Sequence, residues 1–514
     1  MRCAVFVLCL VAGTPAFAQH TDAAHDTPDM PGMQHHLGTV AFANSCSPAA
    51  QSDLLRGVAM LHSFWYSAGE QAFRDALLKD PRCAIADWGI AALMMNNPLG
   101  GIGATPSAAT KAQAELDQAH SIEAPTQRER DYVDAVGSYY KDFAIHTERE
   151  RQIARGAAYE ALAAKYPDDD EAQIFGALYI AATQAQSDQT YSAYGRAAAI
   201  LEPMFRKYPN HPGVAHYLIH AYDKPQLAQL GLPAARRYAQ VAPAAPHALH
   251  MPSHIFTRLG LWDDSIASNQ AARAAAHGQG DQGEELHAMD YLTYAYLQRG
   301  RNSDAERVVA SLSAMTSVAA SGSDFKVGYA ATAMPVRLAI ERHAWHDAAE
   351  LQAIPGSAPH VAAIIFWARA TANARSGRPE AADTDIAQIE RCKEQLQAAG
   401  NTYWATQVDV LAKEAKAWRL AAAANTAESA QLLRQAADEE DAVEKLPVTP
   451  GPIVPAREQL GEMLLQQNQP AQALQEFRAA LVLAPGRRGA LLGGAQAAER
   501  AGDARTAAQM RAAM

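Results

Sequence analysis

Much of what usually marks an enzyme is missing from this sequence. It contains no H-E-x-x-H, no G-x-S-x-G and no Walker loop, which removes the common zinc-protease, serine-hydrolase and nucleotide-triphosphatase signatures. No residues stand out as a general base or a nucleophile. After the N-terminal apolar run no comparable stretch recurs, so no membrane span is expected. Strict alternation of apolar and polar residues is absent too, which argues against a sheet. Positive charge is in deficit, with 44 Lys and Arg against 55 Asp and Glu and a formal net charge of −11. That disfavours nucleic acid and anionic membrane as partners.

Cysteine is scarce, and Cys3 and Cys9 lie within the apolar N-terminal run. This run follows Arg2 and ends in Thr14-Pro15-Ala16-Phe17-Ala18, so residues 1–18 read as a signal peptide cleaved after Ala18. A lipoprotein reading of Cys9 fails on Leu8, which stands where lipid attachment wants a small residue. The expected location is periplasmic or secreted, and cleavage removes Arg2 and no acid, leaving a net charge of about −12. Three cysteines then remain in a compartment that permits disulfides. Cys46 with Cys83 is one pairing, and three buried thiols is the alternative.

What is present, in 514 residues, is too much chain for one core, so several domains or a repeat array are expected. Residues 19–50 are polar and irregular and read as a flexible leader. His20, His25, His35 and His36 with Met30 and Met33 give it an imidazole and thioether mix that suits copper, though composition alone also produces such tracts. From residue 51 the apolar spacing is helical throughout, in short segments broken by Gly or Asp-Pro. The array is expected over 51–445, a Pro-rich linker over 446–457, and further repeats over 458–514.

The repeats are clearest near the C-terminus, where Leu460, Gly461, Leu464, Ala473, Phe477, Ala480 and Pro485 follow in order. Phe73, Ala76 and Pro81 fall at the matching late positions near the front, and Pro209 and Pro243 close central units 34 residues apart. This pattern resembles the tetratricopeptide repeat (TPR), which implies an all-α fold of helix-turn-helix units stacked into a right-handed superhelix. AHYLIHAYD, HMPSHIFTRLGLWDDSIASN and HAMDYLTYAYLQ resemble more narrowly a group of exported bacterial TPR proteins whose function is largely unassigned. In that group the tryptophan-glycine helix often runs on into His-Pro, whereas this chain has Asn97 before Pro98.

The organising stretch is 212–260. His216 and His220 are four apart, His250 and His254 are four apart, and the second pair follows the first by 34 at both members. Residues four apart share one helix face. By the resemblance, the second, fifth, ninth, twelfth and thirteenth positions of each unit face a concave groove. His216 and His250 then take the fifth position, His220 and His254 the ninth, His247 and His287 the second, Asp223 the twelfth, Asp290 a fifth and His62 a thirteenth. Seven histidines are thus directed into one groove.

Imidazole suits zinc and copper, and helices packed about 8–10 Å apart let two of them share an ion. His216, His220, His250 and His254 are the expected ligands, with His247, His287 and His62 as further candidates. Asp223 is expected to ligate or to hold an imidazole tautomer. The bland alternative is polar residues lining a groove that binds a peptide carboxylate. Pro252 predicts either a kink or a helix start between His250 and His254. Arg258 offers an anion contact or an ion pair with Asp263 or Asp264. Gly278-x-Gly280-x-x-Gly283 follows a helix and is crowded by acids, so it reads as an inter-repeat loop and not as a dinucleotide fingerprint. Two functions follow: a metal-binding protein holding copper or zinc, with an open coordination position for chemistry, or a scaffold binding a peptide or protein in its groove.

Overall fold

The computed structural model describes residues 36–101, 103–315 and 325–514. The signal-peptide segment and five of the leader residues singled out above (His20, His25, Met30, Met33 and His35) lie outside the described residues. Those described form an all-α superhelix of stacked helical hairpins, with no strand among them. No described helix is long and apolar enough to cross a membrane.

The central units show why the sequence folds this way. The inner helix Pro212–Tyr222 starts at a proline in its first turn and is buried along its whole length. Its outer partner Ala228–Val241 buries Ala228, Gly231, Ala234, Ala235, Tyr238 and Val241 at helical spacing and leaves its other face to solvent. The next unit repeats the design with Pro246–His250 and Pro252–Arg258, then the outer helix Trp262–Gln279 and the inner helix Gln282–Gln298. Gly280 ends Trp262–Gln279 at φ 71° and Asp281 caps the next helix by accepting from Glu284 N–H at 3.1 Å, so 278–283 is a turn between helices.

Close approach of hairpins is set by small residues against one aromatic ring. Gly57 and Gly89 flank Phe73, and a Cβ at either would come within 2.7 and 2.4 Å of that ring. Gly461 and Gly493 flank Phe477 in the same way, at 2.8 and 2.3 Å. In both cases the glycines stand 16 residues before and after the ring, so one packing device recurs near both ends of the array. Apolar cores follow along the chain, from Phe42 to Phe256, from Trp262 to Met334 and from Tyr329 to Met510.

Two segments differ from the sequence expectation. Residues 36–50, expected as part of a flexible leader, are laid along the first hairpins. Leu37, Phe42 and Cys46 are buried, Phe42 stacks on Trp88 at 5.2 Å, Thr39 N–H donates to Asn210 C=O at 2.9 Å, and Cys46 is disulfide-bonded to Cys83. His36 is exposed. The Pro-rich stretch 446–457 packs inside the superhelix, with Leu446, Val448, Ile453 and Val454 buried. Its polar backbone is met by Arg337, which donates to Gly451 C=O at 2.9 Å, Pro452 C=O at 2.7 Å and Thr449 Oγ1 at 2.8 Å. Proline-rich chain forms few hydrogen bonds of its own, so a guanidinium supplies them.

The C-terminal hairpins then dock on the central ones. Trp262 Nε1–H donates to Gly486 C=O at 3.0 Å, and Gly260, at φ 68°, would bring a Cβ within 2.4 Å of Pro485 O. Only glycine fits both that left-handed conformation and that approach.

Candidate metal centre

The structure brings six histidines into one buried cluster. His216, His220 and His247 offer ring nitrogens within 4.8 Å of one another, and so do His250, His254 and His287. Each i,i+4 pair therefore takes its third member from the next inner helix along the superhelix. The break at Pro252 is slight, because Met251 keeps helical φ −53° and ψ −36°, and His250 and His254 still face each other. Phe64, at φ 52°, places its ring 4.4 Å from His216, 5.6 Å from His247 and 6.0 Å from His220. A bulky residue held in the left-handed region is uncommon, and here it roofs the first triad.

Proton placement follows from what each Nδ1 faces. His216 Nδ1 lies 2.6 Å from the His62 carbonyl, which can only accept, so this nitrogen carries the hydrogen. His250 Nδ1 donates to Asn269 Oδ1 at 2.6 Å, and the Asn269 amide is oriented by its donation to Ser265 C=O at 2.8 Å. His254 Nδ1 donates to Asp223 Oδ2 at 2.9 Å, and His247 Nδ1 to Glu284 Oε2 at 3.2 Å. A neutral ring carries one hydrogen, so Nε2 of His216, His250 and His254 is a bare lone pair. His250 and His254 point theirs at each other across 3.0 Å. His216 Nε2 faces His220 Nε2 at 3.1 Å, where His220 can donate as the Nε2–H tautomer. His247 Nε2 is buried with no hydrogen-bond partner among the described residues.

Burial holds the imidazoles of His216, His220 and His250 well below the usual histidine range. His254 is lowered to about 4, burial outweighing the carboxylate of Asp223. All four are neutral near pH 7, the state in which imidazole binds a metal. Burial would raise the Asp223 carboxyl, but Lys445 and Arg258 outweigh it and hold it well below the carboxylate range. Lys445 Nζ donates to Asp223 at 3.2 Å and Arg258 Nε at 2.8 Å, so Asp223 orients His254 and is itself oriented. Arg258 also pairs with Glu444, and neither Asp263 nor Asp264 is its partner as expected.

Two residues expected in the groove stand elsewhere. Asp290 turns to Arg337, which donates to it at 2.9 Å. His62 joins a separate cluster with Glu171 and His211. There His62 Nε2–H donates to Glu171 Oε2 at 2.9 Å and its Nδ1 accepts from Tyr217 O–H at 2.9 Å. His211 Nε2–H donates to Glu171 Oε1 at 3.0 Å and its Nδ1 accepts from Val214 N–H at 3.4 Å. Every ring nitrogen is matched, and the network fixes the His62 carbonyl that receives His216.

Sequence reasoning missed Glu171, His211, Glu284, Asn269 and Tyr291 as partners of this region. His211 alone carried a local signal, standing just before Pro212 at the start of the histidine-bearing helix.

No family profile matches the chain, and no curated protein matches it. Among solved structures, a Naa15/Naa10 complex bound to HypK-THB is similar over 90% of this chain and 68% of that chain, at 13% identity and TM-score 0.23. The TPR domain of P58(IPK) is similar over 89% and 99%, also at 13% identity and TM-score 0.23. A circular tandem repeat protein is similar over 90% and 95%, at 13% identity and TM-score 0.14.

Proposed function

We propose that this chain is an exported TPR-type protein that binds copper or zinc through its buried groove histidines. The observation that carries the reading is the His250–His254 contact. Two lone pairs 3.0 Å apart, each ring's hydrogen already committed on the far side, repel unless a cation lies between them. A proton could do this only by making an imidazolium, which burial opposes. A metal ion bound to both Nε2 atoms removes the conflict, and three histidines per ion leave a coordination position open. The Nδ1–H groups of His216, His247, His250 and His254 are held by a carbonyl, an amide or a carboxylate, the arrangement that orients metal-bound imidazoles. Export is supported by the signal-peptide pattern and the Cys46–Cys83 disulfide, which belongs to an oxidising compartment.

Elemental analysis of protein purified without an affinity tag tests this. Copper or zinc is expected in stoichiometric amount after supplementation and lost in His216→Ala with His250→Ala. Unchanged metal content in that variant, or none in the parent, ends the proposal.

A scaffold that holds a peptide in the groove is the second reading. It draws on the extended chain that does lie inside the superhelix, although that chain is the protein's own 446–457. A peptide partner would have to share or displace this segment.

A further inference from the structure

The two triads are not separate sites. Between them, His220 and His254 have ring centroids 5.9 Å apart, and His247 and His250 6.0 Å. Within them the spacings run from 4.3 Å for His250 and His287 to 6.4 Å for His220 and His247. The gap between triads is therefore no wider than the gaps inside one. Two ions, one in each triad, would be neighbours, and ions about 3.5–4 Å apart share one small ligand.

Charge and access narrow the choice. All six prospective ligands are imidazoles, and the carboxylates Asp223 and Glu284 face the outer nitrogens of His254 and His247. Two divalent zinc ions would bring four positive charges into this buried place, whereas two cuprous ions bring two. The six rings are all buried, with Phe64, Tyr238 and Tyr291 packed against them. Burial this complete leaves no room for a bulky substrate at the nitrogens, so the ligand considered is a diatomic molecule.

Resting on the metal-binding reading above, we propose that His216, His220 and His247 with His250, His254 and His287 form one dinuclear copper centre that binds dioxygen between its ions. In the reduced state each ion is Cu(I). Dioxygen enters the shared position, each copper gives up one electron, and two Cu–O bonds form while the O–O bond falls from double to single. The product is two Cu(II) ions bridged by peroxide, with no proton consumed, and the reverse step releases dioxygen.

The test uses the full untagged chain, loaded under anaerobic conditions with cuprous ion held by acetonitrile. Expected are two coppers per chain, uptake of one dioxygen per two coppers, a new charge-transfer absorption, and an oxygenated form silent in electron paramagnetic resonance because the two Cu(II) spins couple. His287→Ala should keep one copper in the first triad, take up no dioxygen and show a mononuclear Cu(II) signal after oxidation. Circular dichroism of the metal-free variant confirms that it is folded, and the parent's stoichiometry and spectrum do not depend on it. One copper per chain, or two with a full uncoupled signal, overturns the dinuclear proposal and leaves metal binding intact. Two zinc ions with no retained copper overturns the dioxygen proposal in the same way. Absence of any metal defeats the underlying reading instead.

Discussion

Two buried histidine networks lie side by side in this protein, and they are built on opposite principles. Around Glu171, His62 and His211 each give a hydrogen to a carboxylate oxygen and accept one on the other ring nitrogen, so the set is complete as protein alone. Around His250 and His254 the hydrogens all point outward and the lone pairs meet in the middle. Proximity of histidines alone does not mark a metal site, since both networks have it. What separates the two networks is the direction of the protons.

The sharpest way to break this contrast is to open the closed network. Glu171→Ala leaves two buried N–H groups without acceptors and should cost about 3–5 kcal/mol in denaturant unfolding, whether or not metal is present. The same carboxylate gives an acid signature. Burial would raise it, but the imidazoles of His211 and His62 outweigh burial and hold it well below its ordinary range. Its stabilisation is then complete above the unfolded value of about 4.3 and is lost as pH falls through the lower folded value. Burial lowers His62 as well, so the unfolded chain binds its proton first and stability begins to fall below about pH 6.5. Unfolding curves from pH 7 downward should show both stages, with the lower one missing in Glu171→Gln.

Metal addition should act on the other network alone. At free metal a thousandfold above Kd the stabilisation is about 4 kcal/mol per site, seen as a rise in Tm. His250→Ala with His254→Ala should remove the second triad's share of that rise, while an unaltered rise would mean that the ion sits elsewhere. Asp223→Asn keeps the ligands but weakens the grip on His254, and a 10–100-fold loss of metal affinity is expected by competition titration. The smallest effect serves as a control at a residue that belongs to neither network. Trp262→Phe deletes the donation to Gly486 and should cost about 1 kcal/mol with metal content unchanged.

Four of the six clustered histidines could be read from the sequence because two simple periods coincide, the four-residue helix step and the 34-residue repeat. His247 and His287 were legible as groove-facing residues, but not as the members that complete each triad. That assignment depends on how far one inner helix is offset from the next, which no local pattern encodes. His62 was assigned to the groove by repeat phase alone. Its partner Glu171 is 109 positions away, and the ring hydrogen-bonds there instead of joining the six-histidine cluster. The Pro-rich segment has the composition of a spacer, and its burial depends on Arg337, more than a hundred residues earlier in the chain.

That segment has a consequence for timing. Thr449 C=O receives the Tyr291 hydroxyl at 3.2 Å, Tyr291 packs on His250, His254 and His287, and Lys445 is tied to Asp223. A segment made late in synthesis thus closes over positions laid down more than 150 residues before. On the metal-binding reading, an ion offered to the folded chain would have to pass this segment, whereas one present during folding would not. Exchange of a bound ion would then be governed by movement of this segment as well as by affinity.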